Sequence, residues 1–188
     1  MAKQFAQIEA QHQTFIEDQK VFFVGTAAQS GRVNVSPKGM DSFRVLGANR
    51  VVWLSVTGSG NETAAHIARI NRMTVMFCAF ESSPLILRLY GSARAVYPRD
   101  QEWNELAEGF PPLPGSRQLF DLSVDLVQTS CGMGVPMYDY QGDREALNQW
   151  ASKKGPAAIE DYQRKKNQVS IDDFPTHLFA DSTPVEQK

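Results

Sequence analysis

The chain is built mainly from apolar segments of strand length that follow one another through turns, with few helices between them. A parallel sheet needs strands that alternate regularly with helices, and this pattern is missing. The sequence therefore predicts a mainly β protein with an antiparallel sheet that closes into a six-stranded barrel with flanking helices. Its strands are predicted over Val21–Ala27, Arg32–Ser36, Arg50–Val56, Met73–Phe80, Leu85–Val96 and Phe120–Leu126, with a short extended piece over Asp41–Leu46.

The length of 188 residues is sufficient for one sizeable core and short for two. We therefore expect a single domain over residues 1–188. Apolar residues at helical spacing between Phe5 and Ile16 predict an N-terminal helix. A C-terminal helical extension is expected over about 143–167, broken at Gly155-Pro156 and followed by a loose tail.

A loop between an apolar strand and a short helix is the first candidate binding element. It runs Thr57-Gly-Ser-Gly-Asn-Glu-Thr63, and its helix ends near Ile70. Unpaired N–H groups at a helix start suit a phosphate, and glycines such as Gly60 let it approach the backbone. The alternative is a capping box, with Ser59 as N-cap and Glu62 folded back.

The segment Arg32-Val-Asn-Val-Ser-Pro-Lys-Gly39 is the second candidate. Strand periodicity places Arg32, Asn34 and Ser36 on one face, and Lys38 follows Pro37 at the strand exit. A cation there suits a phosphate. The alternative is an edge strand whose charges are solvated.

Two further residues stand out by position. Arg88 interrupts the apolar run Leu85–Tyr90, so it requires a carboxylate such as Glu62 or Glu81, or an anionic ligand. Cys131 lies between glycine-rich turns, and the absence of a neighbouring histidine favours a structural or ligand-lining role over catalysis. No catalytic residue is assigned, which favours a cofactor as the reactive agent.

Composition excludes several classes of function. A net charge of −2 indicates no nucleic-acid partner and no anionic membrane surface, and no apolar run approaches the about 20 residues that span a bilayer. Two cysteines, three scattered histidines and the lack of a signal-peptide apolar region predict no metal site and a cytoplasmic protein.

Taken in order, these segments resemble the pyridoxamine 5'-phosphate oxidase-like family of FMN-binding split barrels. The resemblance spans roughly Val21 to Val127 and includes Val56-Thr57 and Asn71-Arg72, which precedes a core strand. The segment Ser130-Cys-Gly-Met-Gly-Val-Pro136 resembles a subgroup distinct from the namesake oxidase. The resemblance implies a Greek-key split barrel that forms a homodimer, with FMN in a groove between the subunits.

The resemblance also implies a set of cofactor-binding residues. Arg88 falls near a further binding segment of the family, and Gly60 contributes backbone to the loop. The other positions that match the binding segments are Arg32, Ser36, Lys38, Thr57, Asn61 and Thr63.

Two departures from the namesake oxidases limit the activity that is expected. The oxidases carry Arg-Lys at the helix start, where this chain has Glu62-Thr63. They also end with a Trp and an Arg-Leu-x-Pro motif, which the segment Ile171–Phe179 lacks. We therefore expect an FMN-dependent oxidoreductase that acts on another small molecule. The alternatives are a non-enzymatic carrier of flavin, haem or deazaflavin, and a structural barrel whose loop is only capped.

Overall fold

The computed structural model describes residues 2–81 and 83–179, which form one antiparallel sheet and four helices. In this part of the chain the helices are α1 (Ala10–Asp18), α2 (Glu62–Arg69), α3 (Trp103–Ala107) and α4 (Ala146–Lys166). The strands are β1 (Lys3–Phe5), β2 (Phe22–Thr26), β3 (Asn34–Lys38), β4 (Phe43–Gly47), β5 (Arg50–Val56), β6 (Arg72–Cys78), β7 (Ile86–Val96) and β8 (Ser116–Ser130). Eight strands thus replace the six that were predicted.

The sheet is an open path with the order β3-β2-β6-β7-β8-β5-β4. Strands β3 and β4 are consecutive in the chain but lie at opposite ends of this path, joined by residues 39–42. The closed barrel predicted from the sequence is therefore wrong in this respect, because no ladder of hydrogen bonds joins β3 to β4.

Aromatic contacts bring the two ends of the path together. The ring of Phe43 in β4 lies 4.9 Å from that of Phe22 in β2 and 5.1 Å from that of Phe77 in β6, measured between centroids. Both contacts are edge to face, which is the favoured geometry for aromatic pairs. Behind them, Trp53 stacks on Phe120 at 4.6 Å. The sheet therefore curls around a core that is continuous across the gap between β3 and β4.

The turn that joins β3 to β4 carries two residues in a left-handed conformation. Met40 has φ of 66° and Asp41 has φ of 53°, which is uncommon for residues other than glycine. The Ser42 hydroxyl donates to the Gly39 carbonyl at 2.6 Å, and the Leu54 N–H donates to the Ser42 carbonyl at 2.8 Å. The turn is thus anchored to β5.

Strand β8 is longer than the sequence predicted, because its first residues are polar but buried. Ser116, Arg117 and Gln118 are all polar, and of these Arg117 and Gln118 are buried, Gln118 fully. Strand β5 covers β8 up to Ser123, and β1 pairs with it further on, with Phe5 opposite Val127. This pairing explains why the N-terminal helix begins later than predicted.

Helix α4 contains the predicted break. Gly155 has φ of 74° and ψ of 165°, which no helix accommodates, and Pro156 follows it as the start of the second segment. Helix α4 is the longest of the four helices in the described residues. None of these four helices combines the length and hydropathy required to cross a bilayer.

Candidate functional site

A cavity of about 390 Å³ lies at the gap in the sheet. Strands β3 and β5 form its sides, the loop before α2 forms its rim, and β8 reaches it through Arg117. The polar side chains that line it include Asn34, Ser36, Lys38, Ser55, Asn61, Thr63 and Arg117, together with the indole of Trp53.

The alternation of β3 directs three polar side chains to this cavity. Asn34, Ser36 and Lys38 are half-buried and line it, whereas Val35 between them is 66% exposed. The Ser36 hydroxyl is buried and has no hydrogen-bond partner among residues 2–81 and 83–179. The segment that the sequence singled out therefore presents a free hydroxyl and an ammonium group side by side.

Lys38 is held in the cavity without a carboxylate partner. Its Nζ lies 5.5 Å from the centroid of the Trp53 ring, and none of the ion pairs in the described part of the chain includes it. Burial, and then the nearby charge of Arg117, lower the pKa of Lys38 to about 8. The ammonium is thus poorly compensated by the protein itself.

Arg117 is the second cation of the cavity and is only 5% exposed. Its Nη1 donates to the Gly60 carbonyl at 2.9 Å and to Asn167 Oδ1 at 2.8 Å, and its Nη2 donates to Ser55 Oγ at 3.3 Å. All these acceptors are neutral, and its Nε has no partner in the described residues. Burial lowers the pKa of Arg117 to about 10.

Two cations largely removed from water without an ion-pair partner are costly, since charges taken out of water require pairing. Lys38 and Arg117 face one cavity, and the unpaired Ser36 Oγ and Arg117 Nε provide further hydrogen-bonding atoms near them. The arrangement is therefore suited to an anionic group with several acceptor oxygens, such as a phosphate.

The loop before α2 differs from the predicted capping box. The helix begins at Glu62 with Asn61 as N-cap, so the prediction of Ser59 as cap is wrong. The Asn61 amide exchanges two hydrogen bonds with that of Gln118, at 3.2 and 2.5 Å. Both Glu62 carboxylate oxygens accept the Ile171 N–H at 3.1 Å, so Glu62 pairs neither with its own helix start nor with Arg88.

Five of the predicted cofactor-binding residues meet at the cavity, and three do not. Ser36, Lys38, Gly60, Asn61 and Thr63 all line it. The Asn34 amide also donates to Thr63 Oγ1 at 3.4 Å, which ties β3 to α2. That these residues bind a cofactor remains a prediction. Their common location at the cavity is what the structure adds.

Arg32 and Arg88 lie outside the residues that line the cavity. Arg32 is exposed and forms an ion pair with Asp172. Arg88 projects from the opposite face of β7 to the core residues Leu87 and Leu89, and its Nη1 donates to Ser130 Oγ at 3.2 Å. The carboxylate partners expected for Arg88 are thus replaced by a hydroxyl.

Thr57 does not line the cavity and instead links the elements around it. It is buried, and its hydroxyl donates to the Gly115 carbonyl and accepts from Gln163 Nε2, both at 2.7 Å. His66 in α2 is also buried, with Nδ1 3.1 Å from the Thr26 hydroxyl. Cys131 is an exposed free thiol away from the cavity.

The segment after α4 packs against the site, where a loose tail was predicted. The Tyr97 hydroxyl donates to the Thr176 carbonyl at 2.5 Å, and Arg99 donates to the carbonyls of His177 and Leu178 at 2.7 and 2.6 Å. The prediction is therefore wrong up to residue 179, and its remainder, residues 180–188, lies outside the described residues.

Arg117 is the site residue that sequence reasoning missed. It stands in Ser116-Arg-Gln-Leu-Phe120, ahead of the stretch whose alternation predicted a strand. The argument applied to Arg88, that an arginine in a buried strand requires a partner, would have identified Arg117 once the strand was extended. In the described residues there is no group of three or more His, Cys, Asp or Glu that could hold a metal ion.

Comparisons with known proteins agree with this architecture. The pyridoxamine 5'-phosphate oxidase family model matches residues 8–131. The pyridoxamine 5'-phosphate oxidase family protein ustO of Aspergillus flavus is 35% identical over 180 residues, which cover 84% of this chain and 70% of that protein.

Two solved structures share the fold at 18% sequence identity. HupZ of Group A Streptococcus matches with a TM-score of 0.53 over 65% of this chain and 99% of its own. A candidate pyridoxamine 5'-phosphate oxidase of Lactobacillus delbrueckii matches with a TM-score of 0.52 over 65% of this chain and 94% of its own. These structures show the fold, and the family match and the relative from Aspergillus show that the chain belongs to the pyridoxamine 5'-phosphate oxidase family.

Proposed function

We propose that this protein binds FMN in the cavity between β3 and β5 and acts as a flavin-dependent oxidoreductase on a small molecule. The observation that carries the proposal is the pair of cations, the half-buried Lys38 and the buried Arg117, which face one cavity without a carboxylate partner in the described residues. The phosphate of FMN supplies the missing negative charge.

The residues present fit a phosphomonoester. A phosphate near neutral pH carries up to two negative charges and three acceptor oxygens, which match two cations and the unpaired atoms of Ser36 and Arg117. At the rim, a Cβ added to Gly58 would meet no atom within 4 Å, so the loop backbone is open to a ligand. The cations would hold the phosphate, and Trp53 offers an apolar surface beside them.

FMN, when bound, accepts or donates a hydride, and the protein contributes binding and orientation. The ionisable residues that line the cavity are Lys38, Glu62 and Arg117. Both oxygens of Glu62 are occupied by the Ile171 N–H. The chain thus provides charge and shape at the cavity, and the cofactor provides the reactive atoms.

A carrier function is the second candidate. The residues that line the cavity include neither histidine nor cysteine, and Lys38, whose pKa is lowered to about 8, is assigned to the phosphate in this proposal. A protein that stores or delivers a flavin or deazaflavin phosphate needs only the cation pair. Haem is the weaker variant of this candidate, because it would have to place its carboxylates on Lys38 and Arg117.

We also propose a homodimer, located in the cytoplasm. Strand β3 is an edge of the sheet, and beside it Val33 and Val35 are 74% and 66% exposed. A second copy of the chain would cover this apolar edge next to the cavity. The free thiols of Cys78 and Cys131 support this compartment.

The proposal is tested by comparing FMN with riboflavin, which has the same ring system and lacks the phosphate. In fluorescence titrations we expect the protein to bind FMN about 10- to 100-fold more tightly than riboflavin, and Lys38→Met to lose most of this preference. Lys3→Met is the control, since Lys3 is exposed in β1. Equal affinity for the two compounds, or no binding of FMN, would overturn the proposal.

The enzyme and carrier candidates are separated by turnover. Rapid reduction of bound FMN by NADH or NADPH, followed by reoxidation by an acceptor, would support the oxidoreductase. Tight FMN binding without reduction would support the carrier. The mass in solution at micromolar concentration tests the dimer, and a monomeric mass would contradict it.

A further inference from the structure

Asn167 connects the end of α4 to the cation pair. It is the C-cap residue of α4, directly after Lys166, and it is fully buried. Its Nδ2 donates to the Gly58 carbonyl at 3.0 Å, and its Oδ1 accepts from Arg117 Nη1 at 2.8 Å. One amide group therefore contacts both the loop before α2 and the guanidinium of Arg117.

The backbone of Asn167 is fixed as firmly as its side chain. Its N–H donates to the Gln163 carbonyl at 2.8 Å, and its carbonyl accepts from the Thr176 hydroxyl at 2.7 Å. The side chain thus has little freedom to turn away from Arg117. The end of α4 and the segment after it therefore help to fix the position of the guanidinium, together with the Gly60 carbonyl and Ser55.

The chemistry of the amide matters as much as its position. An amide supplies one donor side and one acceptor side, which match the Gly58 carbonyl and Arg117. A carboxylate of the same shape would accept on both sides, repel the Gly58 carbonyl and form a buried ion pair with Arg117. Only the amide orients the guanidinium and leaves its positive charge available.

We infer that Asn167 is a positioning residue that holds Arg117 against the cavity while leaving its charge free for the phosphate of the ligand. The inference rests on the proposed binding of FMN. It identifies residue 167 as a determinant of selectivity for phosphorylated over unphosphorylated flavin, although the residue itself is not assigned a contact with the ligand.

The test is the substitution Asn167→Asp, which keeps the shape and changes the charge. We expect FMN to bind about 10-fold more weakly and riboflavin to bind as it does to the unaltered protein. Gln168→Glu is the matched control: it makes the same change at the next residue, which is exposed and whose side-chain amide donates to the Arg164 carbonyl, away from Arg117. Its affinity for FMN should change by less than about twofold.

A double-mutant cycle shows whether the effect passes through Arg117. In the Arg117→Met background, Asn167→Asp should cause no further loss of selectivity for FMN over riboflavin. Thermal unfolding of each variant without ligand measures stability separately. Asn167→Ser serves if the aspartate variant does not fold, and it should also reduce the preference for FMN because Arg117 loses its acceptor.

The possible outcomes are distinct. Unchanged FMN selectivity in folded Asn167 variants would overturn this inference and leave the FMN proposal intact. Equal loss of FMN and riboflavin would also overturn it, because that result indicates a purely structural role. No preference for FMN in the unaltered protein would instead overturn the proposed function itself, before any variant is compared.

Discussion

Lys38 on β3 and Arg117 on β8 face the same cavity, and the charge of Arg117 helps to lower the pKa of Lys38. The two strands are not neighbours in the sheet, since β3 is an edge and β8 is paired on both sides. Folding therefore brings together two like charges from distant parts of the sheet. A dianionic ligand relieves the repulsion between them and the cost of burying both.

The affinity for FMN should fall as the pH rises through 8. Lys38 in the free protein has a pKa of about 8, below its usual value, so it loses its charge above that pH while the phosphate stays dianionic. Between pH 7 and 9 we expect the dissociation constant to rise about 5- to 10-fold. Titrations across this range check the slope, which should flatten in Lys38→Met. A profile shared by both proteins would show that another group titrates.

Removal of the carboxylate at Glu62 should tighten FMN binding. Glu62 lines the cavity and carries the one negative charge among its lining residues. Glu62→Gln keeps an oxygen for the Ile171 N–H and removes the charge, so we expect about 2- to 5-fold higher affinity. Glu160→Gln is the control, because Glu160 is exposed and pairs with Arg164 on α4. Equal or weaker binding by Glu62→Gln would contradict the location of the phosphate.

Loss of the Arg32 guanidinium should leave the affinity for FMN nearly unchanged. Arg32 is exposed and pairs with Asp172, away from the cavity. For Arg32→Met we expect less than about a twofold change in affinity and a loss of less than about 1 kcal/mol in the free energy of unfolding. Titration and urea unfolding measure the two quantities. A tenfold loss of affinity would restore Arg32 to the cofactor site that the sequence predicted.

A methyl group at Gly91 should strongly destabilise the fold. A Cβ at this position would overlap the Ser123 carbonyl oxygen, which is backbone and cannot rotate away. The register between β7 and β8 shifts at Tyr90 and Gly91, so the strands approach closely there. We expect Gly91→Ala to cost about 2–4 kcal/mol in urea unfolding. Gly134→Ala, whose Cβ would meet nothing within 4 Å, should unfold like the unaltered protein.

The local part of the site could be predicted from the sequence, because strand alternation depends only on neighbouring residues. The spacing of Ser36 and Lys38 placed them together, and both line the cavity. Strand alternation could not show which of the two arginines, Arg88 or Arg117, lines the cavity. Arg88 interrupts an apolar run, whereas Arg117 lies among polar residues at the start of β8, and only the three-dimensional arrangement of the sheet decides which one faces the cavity.

Contacts between distant parts of the chain explain the other differences. The sequence offered Glu62 a role at its own helix start, but its partner is the backbone of Ile171, 109 residues away. The tail was predicted to be loose. It is held instead by Tyr97 and Arg99, whose acceptors are backbone carbonyls that any sequence would supply.

The strands that line the cavity differ in how easily their residues can be substituted. Lys38 belongs to an edge strand paired on one side, whereas Arg117 belongs to a strand enclosed by two neighbours. Substitutions on the edge strand disturb few backbone contacts, so the chemistry of the cavity can be altered there while the guanidinium stays in place. The gap between β3 and β4 thus allows the ligand specificity of the cavity to change at little cost to the stability of the fold.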